Sequence, residues 1–263
     1  LINQGMILGT SAFVYRKEGE NTFISKGLIE GHKVQPLHVD VSLVNASNEL
    51  DLEGFRNHVL NKDMVKAEFI LESGKYIVGR EVEKMSKSKF NIVNPDDICR
   101  DYGADTLRLY EMFLGPLEQA KPWNTAGISG VHGFLKRLWK LFHMDNETFL
   151  VADGEATAEE LKVLHKTIKK VDEDIASFSF NTSVSSFMIA VNELTAMKCN
   201  KRVILEPLVI LISPYAPHIA EELWEKLGHK DSISTVEFPV FEPDFLIEST
   251  KTYPVSFNGK MRF

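Results

Sequence analysis

A short segment in the first half of the chain places three lysines among serines. The run EKMSKSKFN, residues 83–91, contains Lys84, Lys87 and Lys89. Lysine supplies a compact ammonium group with three donors, and serine hydroxyls and backbone N–H groups add neutral donors. Such groups stabilise the negative charge that develops on leaving phosphate oxygens. The segment therefore predicts a loop that folds over a polyphosphate, although a solvated basic turn has the same composition.

A second candidate site lies on a predicted amphipathic helix. Lys136, Arg137 and Lys140 surround Trp139. The chain has a net charge of −7, but residues 84–142 hold nine basic against six acidic residues, so any nucleic-acid contact would come from a local patch. The cluster predicts contact with RNA phosphates. The alternative is that Trp139 belongs to the core and the three cations form a solvated face.

Composition excludes several classes of protein. The chain has 263 residues, of which 44% are hydrophobic and 25% charged, as expected for a globular protein of about two domains. No apolar run approaches the ~18–20 residues of a transmembrane helix. Cys99 and Cys199 lie far apart, and neither has a neighbouring cysteine. We therefore expect no disulfide framework, no metal site and a reducing cytoplasm.

The segment before the lysines must supply a rigid frame, and its pattern predicts strands and turns. Hairpins are expected around residues 17–20 and 73–74. Alternating apolar residues from Leu37 to Leu43 predict a further strand. Near the end of the chain, Asn258-Gly259 predicts a tight turn between two short strands.

From residue 94 onward the pattern becomes helical. Asn94 is a candidate N-cap, and Gly103 is expected to end the helix that it begins. Thr157 and Glu160 have the spacing of a capping box. Amphipathic runs after residue 122 predict four or five helices joined by short loops, which is typical of a helical bundle.

The amino-acid sequence of the lysine segment resembles a motif of a known family. Residues 84–88, KMSKS, are identical to the signature of class I aminoacyl-tRNA synthetases, and residues 84–123 resemble the leucine, isoleucine, valine and methionine subgroup. Residues 178–194 and 211–228 resemble the anticodon-binding helical bundle of that subgroup. Residues 115–141 are most similar to its leucine-specific members. Phe90 departs from the family, which usually has a glycine there.

This resemblance implies a fold and a domain organisation. We expect an α+β chain in which residues 1–122 form the C-terminal part of a Rossmann-like catalytic domain, with a β-rich, leucine-specific insertion before the lysines. Residues 123–232 would form the α-helical tRNA-binding (anticodon-binding) domain. Residues 233–263 would begin a C-terminal β-containing domain. The chain is thus expected to be a piece of a longer protein.

The resemblance also implies roles for the matching residues. Lys87 would contact the β- and γ-phosphates of ATP, with Lys84 assisting, and Met85 and neighbouring backbone would contact the adenine side. Ser86 and Ser88 would complete the ATP-binding loop. Mg²⁺ would arrive with ATP. The implied partners are ATP, leucine and tRNA(Leu), and we expect a monomer.

Two features of the family are missing from the sequence. It contains no His-x-Gly-His stretch and no large editing domain, so we expect the chain alone to be inactive in aminoacylation and editing. One alternative is a valyl, isoleucyl or methionyl synthetase, which the stretch at residues 115–141 disfavours. Another is a free-standing RNA-binding helical module, but such a module has no use for a loop that binds pyrophosphate.

Overall fold

The computed structural model describes residues 3–58, 64–144, 148–247, 256–257 and 260–261. It has two compact units. The first comprises Leu1–Ile98 and Leu117–Ala126, and the second comprises Cys99–Pro116 and Gly127–Phe263. The chain is mixed α and β, as expected. The boundaries at residues 122 and 232 stay predictions about domain organisation.

The first unit is built on a mixed sheet. Its strands are β1 (Ile7–Lys17), β2 (Thr22–Ile24), β3 (Val34–Val39), β4 (Glu68–Ile70), β5 (Gly79–Lys84) and β6 (Lys121–Pro122). The long strand β1 pairs antiparallel with β2, β3 and β5 and parallel with β6. Its β-branched and aromatic residues suit this central position, because they pack well on a pleated surface. A short helix, α1 (Leu52–Asn57), packs its buried Phe55 into the same core.

Aromatic side chains fill the core of the first unit. Phe23, Phe55, Phe69 and Tyr76 contact one another with ring centroids 5.5–5.8 Å apart. The Tyr76 hydroxyl donates to the Ile24 carbonyl at 2.8 Å and accepts from the backbone N–H of Tyr15 at 3.0 Å. The core is therefore closed by a buried phenol whose hydrogen bonds are satisfied.

One predicted hairpin is confirmed, and the other is confirmed only at its turn, where Glu72 and Lys75 exchange backbone hydrogen bonds at 2.8 and 3.0 Å. β1 and β2 pair antiparallel, with Tyr15 opposite Ile24. The chain around residues 73–74 does turn, but β4 pairs in parallel with β2, and only an isolated bridge between Glu72 and Lys75 joins the two sides of the turn. After the turn the chain runs into the core, because Tyr76 is buried against β1 and β2 rather than paired with β4.

The strand predicted for residues 37–43 is wrong in its second half. β3 ends at Val39, and residues 41–43 form a single 3₁₀ turn. The carboxylate of Asp40 accepts hydrogen bonds from the Ser42 N–H at 2.9 Å and the Ser42 hydroxyl at 2.7 Å. Aspartate often competes with strand pairing in this way, so the apolar alternation continues in the sequence but not in the sheet.

Seven longer helices follow in the described residues: α2 (Pro95–Tyr102), α3 (Ala104–Phe113), α4 (Ile128–Phe142), α5 (Ala158–Ala176), α6 (Phe180–Ala196), α7 (Arg202–Ile212) and α8 (Pro217–Lys226). Two of them, α2 and α5, begin where the capping residues predict. The Asn94 side chain accepts from the Asp96 N–H, and Thr157 and Glu160 form the predicted capping box. Five helices, α4 to α8, thus follow residue 122 in the part of the chain that the structure describes.

The second unit is a helical bundle with a continuous apolar core. Helix α6 contacts α3, α4 and α5, and α7 contacts α5 and α8. Phe134, Phe142, Phe187 and Ile212 are fully buried. Two further strand pairs flank the bundle in sequence: β7 (His143–Met144) with β8 (Thr148–Phe149), and β9 (Ser256–Phe257) with β10 (Lys260–Met261). The second pair confirms the strands predicted there, and residues 258–259 of its turn lie outside the described residues.

Candidate functional site

The lysine loop, residues 84–90, continues directly from strand β5. Lys84 is the last residue of that strand and pairs with Leu8 of β1. Residues 87–89 form a 3₁₀ turn, and Phe90 follows with a φ of 51°. This left-handed backbone favours glycine, so the structure gives a physical reason for the glycine that the family usually has at this position.

Asn91 closes the base of the loop. Its side chain is buried, and its amide NH₂ donates to the Ser11 hydroxyl at 2.9 Å and to the Lys84 carbonyl at 3.3 Å. Its amide oxygen accepts from the backbone N–H of Ser86 at 2.9 Å. One side chain therefore joins the two ends of the loop to each other and to strand β1.

The loop presents its other polar groups to solvent. Lys84, Lys87 and Ser88 are exposed, whereas Met85 and Ser86 are half-buried. The hydroxyls of Ser86 and Ser88 lie 2.9 Å apart. Neither Lys84 nor Lys87 forms an ion pair with another residue that the structure describes. All five predicted ATP-binding residues thus lie on one short loop, and two of its lysines remain available to an anion.

Lys89 is different, because its ammonium group binds Glu83 at 2.6 Å. The same carboxylate accepts from the Ser11 hydroxyl at 2.5 Å and from His38 Nε2 at 2.9 Å. These hydrogen bonds, that of Lys89 foremost, lower the pKa of Glu83 to about 2. No local sequence pattern marks Glu83 as a site residue, because its partners Ser11 and His38 are 72 and 45 positions away along the chain.

The second predicted cluster lies on helix α4. Lys136 and Lys140 line a cleft of about 790 Å³ within the second unit, which we call the α4 cleft. Its other walls include Tyr102, His132, Trp139 and His218. Residues four apart share one face of a helix, so Lys136 and Lys140 flank the cleft together. Arg137 is exposed but does not line the cleft.

A buried carboxylate fixes one wall of the α4 cleft. Asp105 is 8% exposed and accepts hydrogen bonds from His218 Nδ1 at 2.8 Å and from the Ile219 N–H at 2.7 Å. It therefore caps the N-terminus of α8, where a negative charge is favourable. On another wall, the half-buried Trp139 stacks on His143 with the ring centroids 4.0 Å apart. The cleft thus combines aromatic walls with two exposed cations, Lys136 and Lys140.

Among the residues that the structure describes, no group of three or more His, Cys, Asp or Glu side chains is arranged so that it could hold a metal ion. No described helix is both long enough and apolar enough to cross a bilayer.

Two family models match this chain. The model for class I tRNA synthetases (I, L, M and V) matches residues 68–123, which include the lysine loop. The model for the anticodon-binding domain of tRNA ligase matches residues 159–263. The whole chain is 71% identical to the leucine–tRNA ligase of Christiangramia forsetii and 67% identical to that of Flavobacterium psychrophilum. The chain belongs to the class I tRNA synthetases.

This synthetase chain spans 27% of the length of each of those two relatives. It also resembles a solved structure, the LeuRS–tRNA–LeuAMS ternary complex from Agrobacterium radiobacter. The TM-score is 0.55 and the sequence identity 26%, over 69% of this chain and 25% of that one. The synthetase fold that the lysine signature implied is therefore supported by both sequence and structure.

Proposed function

We propose that this chain is part of a leucine–tRNA ligase, which activates leucine with ATP and transfers it to tRNA(Leu). One observation carries the proposal: the KMSKS loop lies in a chain that is 71% identical, over its full length, to a leucine–tRNA ligase. Because the chain spans about a quarter of that relative, the activity is that of the whole protein.

The chemistry of the first step explains why the loop needs free lysines. A carboxylate oxygen of leucine attacks the α-phosphorus of ATP, and the bond from that phosphorus to the bridging oxygen breaks. The bonding electrons leave with pyrophosphate, on which negative charge grows. Lys87 contacts the β- and γ-phosphates with help from Lys84, since both ammonium groups are exposed and lack an ion pair with any described residue. They stabilise that charge as it develops.

The rest of the loop completes the nucleotide site. Met85 and the adjoining backbone contact the adenine side, and the hydroxyls of Ser86 and Ser88 donate to phosphate oxygens. We assign no residue of this chain to Mg²⁺, because the described residues lack a group of side chains that fits a metal ion. In this proposal Mg²⁺ enters bound to ATP, as the magnesium of phosphate-transfer enzymes usually does.

The helical unit supplies the tRNA contact. Lys136, Arg137 and Lys140 are exposed on α4, and two of them flank the α4 cleft. Ammonium groups beside an aromatic wall suit the phosphates and bases of RNA. We propose the cytoplasm as the compartment, since Cys99 and Cys199 are free thiols.

Aminoacylation tests this function. The full-length protein that contains this segment is incubated with radiolabelled leucine, ATP and purified tRNA(Leu), with tRNA(Ile), tRNA(Val) and tRNA(Met) and their amino acids as controls. The proposal expects charging of tRNA(Leu) with leucine only. Charging of another tRNA with its own amino acid would favour one of the related synthetases. RNA binding without charging of any tRNA would favour a binding module.

A further inference from the structure

Glu83 lies immediately before the KMSKS signature, and it contacts three separate elements. It accepts hydrogen bonds from Ser11 in β1, from His38 in β3 and from Lys89 at the far end of the loop, at 2.5, 2.9 and 2.6 Å. Its side chain is 20% exposed and that of Lys89 34%, so the ion pair is partly shielded from water. The residue thus joins the end of the loop to two strands of the sheet.

The backbone around Glu83 brings the end of the loop against the sheet. Gly9 lies opposite Glu83 in the β1–β5 pairing. A Cβ atom at Gly9 would lie 2.5 Å from the backbone oxygen of Asn91, which is too close for any side chain. The chain that leaves the loop therefore rests directly on β1, and Glu83 and Asn91 hold it there through a shared partner, Ser11.

The three lysines of the loop are consequently not equivalent. Lys89 is engaged by Glu83, whereas Lys84 and Lys87 are exposed and form no ion pair with any described residue. A third free ammonium so close to them would compete for the same triphosphate. Binding Lys89 to the sheet removes this competitor and fixes the turn that carries Lys87.

We infer that Glu83 is a positioning residue for ATP activation: by holding Lys89 on the sheet, it sets the position of the turn from which Lys87 reaches the departing pyrophosphate. This inference rests on the proposed function. It assigns Lys89 to the loop's support rather than to phosphate binding. A displacement of about 1 Å in a charge-stabilising group can cost up to ~10²-fold in rate, so the effect should be measurable.

The test is a double-mutant cycle in the full-length protein, read by leucine-dependent ATP–pyrophosphate exchange per titrated active site. Glu83→Gln and Lys89→Met should each lower kcat roughly tenfold or more, and the double variant should be no slower than the worse single variant, because the two residues act as one unit. The KM for ATP should stay the same or fall in Glu83→Gln, since the freed Lys89 can bind phosphate without aiding the chemistry.

A matched control lies on the same strand. Glu81 is exposed and forms no ion pair with a described residue, so Glu81→Gln removes an equal charge two residues away and should leave exchange unchanged. If Glu83→Gln fails to fold, Lys89→Met alone decides, because the Lys89 side chain is more exposed than that of Glu83, 34% against 20%. Normal kcat in Lys89→Met, or multiplicative losses in the double variant, would overturn the inference.

The same experiment separates this inference from the proposed function. Absence of leucine-dependent exchange in the unsubstituted protein would contradict the function itself. Exchange that is abolished by Lys87→Ala but unaffected by Glu83→Gln and Lys89→Met would contradict only the role of Glu83.

Discussion

At the scale of single residues, the three lysines of the loop differ in their interaction partners. Lys89 is held by a carboxylate, while Lys84 and Lys87 are exposed. Positive charges that are already in position contribute most where negative charge develops during the reaction, because they do not have to reorient at that moment. The consequence is that substitution of Lys87 should affect the chemical step rather than the binding of leucine.

We expect Lys87→Ala in the full-length protein to slow leucyl-adenylate formation by ~10²–10³-fold, roughly 2.7–4 kcal/mol. Single-turnover rapid-quench kinetics measures that rate, and equilibrium dialysis measures leucine affinity, which should not change. Lys33→Ala is the control, because Lys33 is an exposed lysine of the same unit outside the loop. An unaltered adenylate rate in Lys87→Ala would remove this residue from the site.

A site residue can be predicted from the sequence when its interaction partners lie close to it along the chain. Lys84 and Lys87 are recognisable because the signature is contiguous in the chain. The carboxylate at Glu83 is adjacent to the signature, yet its role depends on Ser11 and His38, and no local pattern connects positions so far apart. Only the pairing of β1 with β3 and β5 brings the three side chains to one place.

At the scale of elements, the segment around residues 241–246 packs on helix α5, and one histidine, His165, lies at this contact. The buried His165 accepts a hydrogen bond at Nδ1 from the Glu242 N–H at 3.1 Å, and Phe245 stacks on its ring with centroids 4.5 Å apart. Desolvation lowers the pKa of His165, and the nearby Glu242 carboxylate opposes that shift. The neutral imidazole is therefore the form that holds this segment.

This arrangement predicts a pH-dependent contact. The folded-state pKa lies below the unfolded value of about 6.5, so the stabilisation is fully present above that pH and is lost as the pH falls through the folded-state pKa. Protection of the Glu242 amide from hydrogen exchange should fall between about pH 7.5 and about pH 5, after correction for intrinsic exchange. In His165→Phe this change should be absent. Equal protection at both pH values in the unsubstituted chain would refute the prediction.

The end of helix α6 offers a stability prediction. Lys198 has a φ of 55° and is exposed, and its N–H donates to the Thr195 carbonyl, while the Cys199 N–H donates to the Leu194 carbonyl. This is the helix-ending geometry that glycine adopts without strain. Lys198→Gly should stabilise the chain by about 1 kcal/mol, a rise of roughly 2–4 °C in Tm by circular dichroism. Lys198→Ala keeps the strain and should give no gain, and a lower Tm for Lys198→Gly would contradict this account.

Helices were predicted more accurately than strands for a physical reason. The caps at Asn94 and Thr157 are satisfied by residues two or three positions away, so the sequence contains the whole interaction. Strand partners are remote. The turn expected at residues 73–74 is present, but pairing between its arms stops at Glu72 and Lys75, and β4 pairs instead with β2, more than 40 positions earlier in the chain.

At the scale of the whole molecule, exposed positive charge lies where RNA is proposed to bind. The α4 cleft carries two exposed lysines, although the chain is acidic overall. Contacts to phosphate release counterions, so each contributes about −0.9 (duplex) or −0.7 (single strand) to the slope of log K against log salt concentration. The binding of tRNA should therefore be strongly salt-dependent.

The number of basic contacts can be measured from that slope. Replacing Lys136, Arg137 and Lys140 together by alanine should lower tRNA affinity and reduce the slope by roughly two to three. If the α4 cleft is the main contact, Lys136→Ala/Lys140→Ala should account for more of this loss than Arg137→Ala alone. Circular dichroism must first show that the variants are folded. A folded triple variant that keeps the full slope would exclude this cluster as the RNA surface.

The central claim is that the protein containing this segment activates leucine, and amino-acid-dependent ATP–pyrophosphate exchange tests it most directly. The full-length protein is assayed with leucine, isoleucine, valine and methionine in turn, and the 263-residue chain alone serves as the matched control. We expect leucine to support exchange at least roughly tenfold faster than the other three, and the isolated chain to remain at background. Faster exchange with another amino acid, or robust exchange by the isolated chain, would contradict the account.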